Sequence, residues 1–294
     1  MQPAITIVEA PSILGLRPSG VEDLPVALRD AGLYQRLGVR EVVQVPALPY
    51  DDRRDAETGM LNTAGLVEYT GRLADEVARV LDRGDRPLVI GGDCSILLGN
   101  LLALARRGRY GLLFFDGHAD FYQPDANING EAASSELALA TGRGPTALTR
   151  FENHHPLIAD EDVVAIGIRD REESRSYGSQ PLPGGMRVYE LDAIRTMTPS
   201  RVIEDALHHL RARAVDGAWI HLDADVLDDE IMPAVDYRLP DGLSWSEAET
   251  MLSRAWRESA VGIDVTIFNP RLDPDGTIAR SMVECLVRIL EAVS

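Results

Sequence analysis

The sequence predicts a doubly wound α/β fold with a mostly parallel sheet, and three observations support this. Short apolar segments alternate along the chain with segments of helical periodicity. Most of the apolar segments are continuous rather than alternating, as is typical of strands that are covered on both faces. No repeat, low-complexity tract or linker divides the chain, so we expect a single domain over residues 1–294.

Eight short runs are predicted as strands because Val, Ile, Leu and Phe dominate them and because each is only a few residues long. In chain order they are 4–8, 41–46, 87–90, 111–115, 162–168, 187–191, 218–223 and 262–268.

Longer segments between and after these runs carry apolar residues at helical spacing, as Leu66, Leu73 and Val77 do in the first. Ser244 and Glu247 form an S-x-x-E capping box, which predicts the start of a helix. The predicted helices are 65–83, 95–107, 199–213, 244–257 and 277–292, with a short one near 134–141.

The charge of the chain limits its partners. It has 29 basic and 47 acidic residues, a net charge of −18. We therefore expect repulsion from nucleic acids and anionic membranes, and cationic small molecules and metal ions as partners. All the basic residues are arginine, which excludes Schiff-base chemistry, pyridoxal phosphate attachment and a lysine-containing phosphate loop.

Cellular context is also predicted from composition. The N-terminal residues lack the basic and apolar regions of a signal peptide, and no apolar run is long enough to span a membrane. The two cysteines, Cys94 and Cys285, do not suggest a disulfide framework. We expect a cytoplasmic protein.

Ionisable residues follow two predicted strands at the point where each strand ends. Asp116, His118 and Asp120 follow the run 111–115, and Asp223 and Asp225 lie at the end of another run. In an extended chain such alternate residues face the same way, so potential ligands should converge. Carboxylates packed this closely repel one another unless a cation lies among them. We predict a site for divalent ions such as Mn²⁺ or Zn²⁺, with two bridged ions favoured by the number of ligands.

These residues and their neighbours give a sequence that resembles the arginase/agmatinase ureohydrolases. The resemblance extends over nearly the whole chain. Three motifs of the family occur in order: G-G-D-H-S as Gly91-Gly92-Asp93-Cys94-Ser95, D-A-H-x-D as Asp116-Gly117-His118-Ala119-Asp120, and D-x-D as Asp223-Ala224-Asp225.

The resemblance implies a three-layer αβα fold of the arginase/deacetylase type and a homo-oligomer. It implies two Mn²⁺ ions per chain, with Asp116 and Asp223 bridging them. Cys94 and Asp120 would complete one ion's ligands, and His118 and Asp225 those of the other. A hydroxide between the ions would attack the amidino carbon of a cationic small molecule, releasing urea or a urea-like product, and Asp120 and His118 are the expected catalytic residues.

Cys94 departs from the family pattern, which usually has a histidine ligand there. A thiolate suits Zn²⁺ or Fe²⁺ better than Mn²⁺, so Zn²⁺ or a single ion is an alternative. Three interpretations stay open at this stage: Cys94 is a metal ligand, a nucleophile paired with a histidine, or a buried thiol.

The expected substrate-binding positions depart as well. Ile267 replaces a glutamate that binds the guanidinium group in the family, and Asp264 could substitute only in a different strand register. Asn129 replaces a histidine that shuttles protons, and an asparagine cannot titrate. Glu172 matches an acid that contacts the substrate amine in relatives that act on amino acids. These changes favour a modified guanidine or amidine over arginine as the substrate.

Two alternative functions are consistent with the same residues. The first is hydrolysis of an ordinary amide with one metal ion, as in deacetylases. The second is a metal-poor homologue without catalytic activity, which the changes at Cys94, Asn129 and Ile267 suggest.

Overall fold

The structure is a computed structural model that describes residues 3–39 and 41–291. Its centre is an eight-stranded sheet in the order β2-β1-β3-β8-β7-β4-β5-β6, and every pair of neighbouring strands is parallel. The strands are β1 (Ile5–Ala10), β2 (Val42–Gln44), β3 (Arg86–Gly91), β4 (Gly111–Phe115), β5 (Val163–Ile166), β6 (Arg187–Tyr189), β7 (Ala218–Asp223) and β8 (Ala260–Thr266). All eight predicted strands are present, and the parallel sheet confirms the predicted fold class.

Eleven α-helices are found in the described part of the chain. They are α1 (Leu24–Asp30), α2 (Leu33–Arg36), α3 (Thr63–Asp82), α4 (Leu97–Ala105), α5 (Glu136–Ala140), α6 (Thr146–Thr149), α7 (Arg171–Ser176), α8 (Leu191–Met197), α9 (Pro199–Ala212), α10 (Trp245–Glu258) and α11 (Thr277–Glu291). The five long predicted helices and the short one near 134–141 correspond to α3, α4, α9, α10, α11 and α5. Both hydrogen bonds of the predicted capping box are present at the start of α10.

The helices cover both faces of the sheet and form two hydrophobic cores. Alternate residues of the buried strands face opposite cores, as Ile7 and Val8 do in β1. One core contains the apolar faces of α3, α4 and α5, and the other those of α1, α9, α10 and α11. Because both faces of the strands are buried, the strands read in the sequence as continuous apolar runs.

The central strands determine where a site can form. β3, β8, β7 and β4 are neighbours in the sheet, and their carboxyl ends lie along one edge. The loops that follow β3, β4 and β7 contain the three sequence motifs. In open α/β sheets ligands bind at this edge, so the fold brings the motifs to the expected place. No helix in the described ranges is long and apolar enough to cross a membrane.

Candidate metal centre

The loops after β3, β4 and β7 bring the predicted ligands into one cluster. The side chains of Cys94, Asp116, Asp120 and Asp223 are buried, and His118 keeps 15% of its side chain exposed. Asp225, also buried, lies next to His118 on the same side of the cluster. The structure therefore places together all six residues that the sequence singled out as ligands.

The turn that carries Cys94 is held in place by hydrogen bonds to the Asp93 carboxylate and by a close backbone contact at Gly92. The buried carboxylate of Asp93 accepts hydrogen bonds from the backbone N–H groups of Ser95 at 2.9 Å and Gly15 at 3.2 Å. A Cβ atom on Gly92 would lie 1.9 Å from the backbone oxygen of Ser12, so only glycine fits there. These contacts fix the position of the Cys94 thiol.

The loop after β4 differs in conformation from the expected extended chain. β4 ends at Phe115, and Asp116 Oδ1 accepts a hydrogen bond from the backbone N–H of His118 at 2.6 Å. Asp120 has a φ of 41°, in the left-handed region that side chains rarely adopt. The side chains converge because the loop turns, and not because alternate residues of a strand share a face. Strained residues of this kind are often found at functional sites.

One side of the cluster is built around His118. Its Nδ1 atom lies 2.8 Å from Asp225 Oδ2 and 3.8 Å from Asp116 Oδ1. Asp225 is oriented by the backbone N–H of Gly117, which donates to its Oδ1 at 3.0 Å. One atom each of Asp116, His118 and Asp225 lie within 4.8 Å of one another, which is close enough to share an ion.

The other side contains Cys94. Its Sγ atom donates a hydrogen bond to Asp223 Oδ2 at 2.8 Å and lies 3.1 Å from Thr266 Oγ1. Burial, followed by the nearby carboxylates of Asp223, Glu136 and Asp116, raises the pKa of Cys94 well above its ordinary value. The arrangement is that of a protonated thiol bound to a carboxylate. Neither contact is to a histidine that could activate it as a nucleophile.

Two further residues belong to this cluster, and the sequence analysis did not assign them to the site. Glu136, the first residue of α5, is fully buried, as is His221 of β7. Ligand atoms of Glu136, Cys94 and His221 lie within 4.8 Å of one another. The same distance limit holds for ligand atoms of Glu136, Asp116 and Asp120. A signal existed for His221, because it lies two residues before Asp223 and so faces the same side of the strand. For Glu136 the sequence carried no such signal.

The donors in the cluster fit a cation. Within the described ranges, buried atoms without a hydrogen-bond partner include Asp116 Oδ2, both carboxylate oxygens of Glu136 and His221 Nε2. Buried oxygen and nitrogen acceptors are costly when nothing binds them. Four of them in one cluster, among further carboxylates, are the arrangement that hard or borderline divalent ions require.

The proton affinities of the cluster follow from burial and crowding. Burial raises the pKa of Asp120 to about 7, and burial with neighbouring carboxylates raises the pKa values of Asp116, Asp223 and Glu136. Burial alone would lower the pKa of His118, but Asp225 and Asp120 outweigh it and raise the pKa to about 10. Protons and metal ions therefore compete for the same groups.

A cavity opens above the cluster, with His118, Asp120, Asp223 and Asp225 in its floor. It has a volume of about 850 Å³ including its open mouth. Its walls are mainly aromatic and aliphatic. The wall residues include Leu16, Tyr122, Ile128, Asn129, Glu173, Tyr177, Tyr237 and Ile267.

The predicted substrate-binding residues have different positions relative to this cavity. Asn129 and Ile267 line it, and Ile267 has a φ of 68°, which is unusual for a β-branched residue. Glu172 lies on the exposed side of α7 and is not among the lining residues, whereas its neighbour Glu173 is. Asp264 is fully buried and holds His221 Nδ1 at 2.5 Å, so it is not available to replace the missing glutamate.

Polar side chains form a network at the rim that the sequence analysis did not predict. Glu131 is buried and accepts hydrogen bonds from Tyr237 Oη at 2.7 Å and from the backbone N–H of Arg17 at 3.1 Å. Asn129 Nδ2 contacts Tyr237 Oη at 3.2 Å. These contacts hold Asn129 and Tyr237 at the edge of the cavity.

Comparisons with known proteins agree with this geometry. The family model described as the arginase family matches residues 4–291. Arginase of Bacillus caldovelox is 30% identical over 279 residues, which cover 92% of each chain. Arginase of Staphylococcus aureus (strain COL) is 28% identical over 289 residues, 95% of this chain and 94% of the relative. A solved structure of Bacillus caldovelox arginase has a TM-score of 0.84 at 28% identity and covers 99% of this chain, with 98% of its own chain matched.

Proposed function

The chain belongs to the arginase family, and we propose that its substrate is a linear amidine or modified guanidine that is not arginine itself. Membership makes it a metal-dependent hydrolase of linear C–N bonds, of the ureohydrolase type. The observation that carries the proposal is the buried cluster of motif residues, with unpartnered acceptor atoms, in and beneath the floor of a cavity large enough for a small molecule.

We propose two ions in this centre, with Mn²⁺ as the natural metal. Asp116 has ligand atoms close to those of residues on both sides of the cluster and Asp223 lies next to it, so both suit the bridging role that the resemblance implies. His118 and Asp225 would hold one ion, and Asp120 would hold the other, with Cys94 at the sixth motif position. When bound, such ions lower the pKa of water and orient it for attack.

Asp120 and His118 are the proposed catalytic residues. Both line the cavity, and a carboxylate in this position can take up a proton from water and return it. In the hydrolysis the oxygen of water joins the amidino carbon and the C–N bond breaks. Asp120 accepts the proton from water and passes it to the leaving nitrogen, while His118, with Asp225 beside it, would hold the ion on its side of the cluster.

The cavity wall supports the substrate proposal. Ile267 offers no charge to a guanidinium, and an unpaired cation beside it would be poorly stabilised. Asn129 and Tyr237 offer neutral hydrogen-bonding groups, and Glu173 is the acid of α7 that lines the cavity. We propose that Asn129 and Ile267 contact the reacting group. Because Glu172 lies outside the lining residues, we propose Glu173 in its place as the contact to a distant positive group.

The family match does not favour the two alternatives that the sequence left open. A deacetylase-like amide hydrolase and a non-catalytic homologue both need fewer ligands than the cluster provides. We propose a cytoplasmic location on the sequence composition, and a homo-oligomer on the resemblance alone.

The first experiment combines metal analysis with a screen for products. Protein loaded with Mn²⁺ or Zn²⁺ is tested for bound ions by elemental analysis and for urea or amine release from a set of guanidines, hydroxyguanidines and amidines. We expect about two ions per chain and urea release from a modified guanidine but not from arginine. Asp120→Asn should abolish turnover, and Asp52→Asn, which changes an exposed acid, should not. The absence of tightly bound metal would overturn the proposal.

A further inference from the structure

On the side where Cys94 lies, the cluster contains two potential metal ligands that belong to none of the three sequence motifs. His221 Nε2 lies 3.9 Å from Asp116 Oδ2, and no hydrogen-bond partner for it is found among residues 3–39 and 41–291. Within the described part of the chain, both carboxylate oxygens of Glu136 are also without a hydrogen-bond partner, although the side chain is fully buried. A neutral imidazole nitrogen and a carboxylate are good ligands for Mn²⁺ or Zn²⁺.

The imidazole of His221 is fixed in the form that binds a metal. Its Nδ1 atom lies 2.5 Å from Asp264 Oδ2, and the same carboxylate accepts hydrogen bonds from Trp219 Nε1 and, at 3.0 Å, from Asn100 Nδ2. A carboxylate with these donors is an acceptor, so Nδ1 donates to it and Nε2 is the nitrogen that is left to face the cluster. The ring also stacks on Phe114, with centroids 4.9 Å apart. Metal-binding histidines are commonly held by a carboxylate in this way.

Cys94 is engaged differently. Its thiol donates to Asp223 Oδ2 at 2.8 Å, and that contact uses the proton that a metal would have to displace. Its sulphur is close to both new donors, since Cys94, Glu136 and His221 have ligand atoms within 4.8 Å of one another. The same volume of the protein therefore offers a thiol that is already engaged in hydrogen bonds and, beside it, an imidazole nitrogen and carboxylate oxygens that have no such contact within the described residues.

We propose that His221 and Glu136 are the ligands of the ion on the Cys94 side, and that Cys94 is a hydrogen-bond donor to Asp223 rather than a ligand. The proposal rests on the metal-dependent function given above and specifies how this chain holds that ion. The nitrogen ligand then comes from β7 and the added carboxylate from α5. The site on this side is composed of Asp116, Asp120, Glu136, His221 and Asp223.

Three variants separate the candidate ligands. His221→Asn keeps a donor for Asp264 at the Nδ1 position and removes Nε2. Glu136→Gln keeps the shape and removes the charge. Cys94→Ser keeps a hydrogen-bond donor and removes sulphur. Binding of Mn²⁺ is measured by calorimetry and equilibrium dialysis, with circular dichroism of each metal-free variant to verify folding.

We expect His221→Asn to weaken the binding of one of the two ions by more than about 100-fold. This exceeds the 10–100-fold loss of affinity that is typical when a residue only supports a ligand. We expect Glu136→Gln to weaken the same ion by about tenfold or more. Cys94→Ser should bind two ions within about threefold of the unchanged protein. The opposite pattern, with one ion lost in Cys94→Ser and none in His221→Asn, would overturn the inference and leave the hydrolase function standing.

Two measurements on the unchanged protein do not depend on a variant that folds. X-ray absorption of the Mn²⁺-loaded protein should show about one imidazole nitrogen per ion, from His118 and His221 together. One imidazole for every two ions would contradict the proposal. In the Co²⁺-loaded protein, a thiolate charge-transfer band would assign Cys94 as a ligand and likewise contradict it. Failure to bind any of these ions would overturn the proposed function as well.

Discussion

The side chain of Cys94 is surrounded by carboxylates, and this determines the state of its thiol. It is 1% exposed, and burial and neighbouring negative charges both raise its pKa. A nucleophilic or reactive cysteine needs the opposite environment, one that stabilises the thiolate. Of the three interpretations that the sequence left open, the geometry therefore gives no support to a nucleophile.

This leads to a prediction about thiol reactivity. Folded, metal-free protein treated with iodoacetamide at pH 8 should be alkylated at Cys94 at least about 100-fold more slowly than the protein unfolded in guanidinium. Peptide mapping by mass spectrometry measures the rate, and Cys285, which is also buried and has a pKa raised to about 12, provides an internal reference. Selective and rapid labelling of Cys94 would instead indicate an activated thiolate.

In the proposed function, Ile267 is the residue expected to restrict the substrate most. It lines the cavity with an aliphatic side chain, where a carboxylate would be needed to bind a guanidinium. We predict that Ile267→Glu raises kcat/KM for arginine or another simple guanidine by about tenfold to 100-fold. This is the ratio expected for a charge-assisted hydrogen bond of about 1.5–3 kcal/mol. Urea release measures the effect.

The matched control for this change is Ile267→Gln. Glutamine has nearly the same shape as glutamate but carries no charge. Both replace a β-branched residue at a φ of 68°, so any change in backbone strain is the same in the two variants. An equal gain in both variants would mean that polarity or backbone relaxation, and not the charge, limits activity on guanidines.

The turn between β3 and α4 packs directly against the candidate metal centre, because it carries Cys94. Gly92 has no room for a side chain, because an added Cβ would lie 1.9 Å from the Ser12 backbone oxygen. We predict that Gly92→Ala lowers the free energy of unfolding by about 1–3 kcal/mol, as overpacking does, and also weakens metal binding, because a displaced turn would shift the Cys94 thiol that donates to the Asp223 carboxylate. Thermal unfolding and calorimetry with Mn²⁺ measure the two effects.

Gly71 provides a control with the same chemical change. It lies inside α3, and an added Cβ would meet nothing within 4 Å. Gly71→Ala should therefore stabilise the protein by about 0.5–1 kcal/mol through helix propensity, with metal binding unchanged. If both variants lost stability to the same extent, the close contact at Gly92 would not be the cause of its effect.

Among the secondary-structure elements, the sequence predicted the long helices and the strongly apolar strands. The strands 111–115 and 218–223 were predicted with the bounds that the structure has, because both are fully buried runs. Five helices between four and seven residues long were not predicted: α1, α2, α6, α7 and α8. Segments this short contain too few turns for a helical period to be recognised.

The site was predictable to the extent that it lies in local motifs. Asp116, His118 and Asp120 are close in sequence and follow a strand, so their convergence could be inferred. Glu136 reaches the same cluster from a short helix after a long loop, and only the tertiary fold shows this. His221 was visible on the strand, but whether its Nε2 atom has a partner depends on its neighbours in space.

For the whole molecule, the cluster joins folding to metal binding and pH. Asp120 has a pKa raised to about 7 and His118 a pKa raised to about 10. Without metal, the folded protein keeps protons that the unfolded chain has already released. For the Asp120 carboxyl this difference extends over about pH 4–7, and for the His118 imidazole over about pH 6.5–10. The free energy of unfolding of the metal-free protein therefore falls as pH rises through these ranges. Asp225, whose pKa is lowered, acts in the opposite direction only at more acidic pH.

Metal binding should reverse this loss, because an ion takes the place of the protons. We predict that the increase in Tm caused by Mn²⁺ grows between pH 5.5 and 8. One displaced proton makes binding tenfold tighter per pH unit, about 1.4 kcal/mol, or about 2 °C for a chain of this size. Thermal unfolding with chelator and with Mn²⁺, at steps of half a pH unit, measures the slope. Asp120→Asn should reduce the slope below pH 7, since it removes the carboxyl that titrates there. A metal effect that is constant or shrinks across this range would mean that the buried acids and His118 do not bind the ion, because no ligand of a bound metal can avoid competition with its own protons.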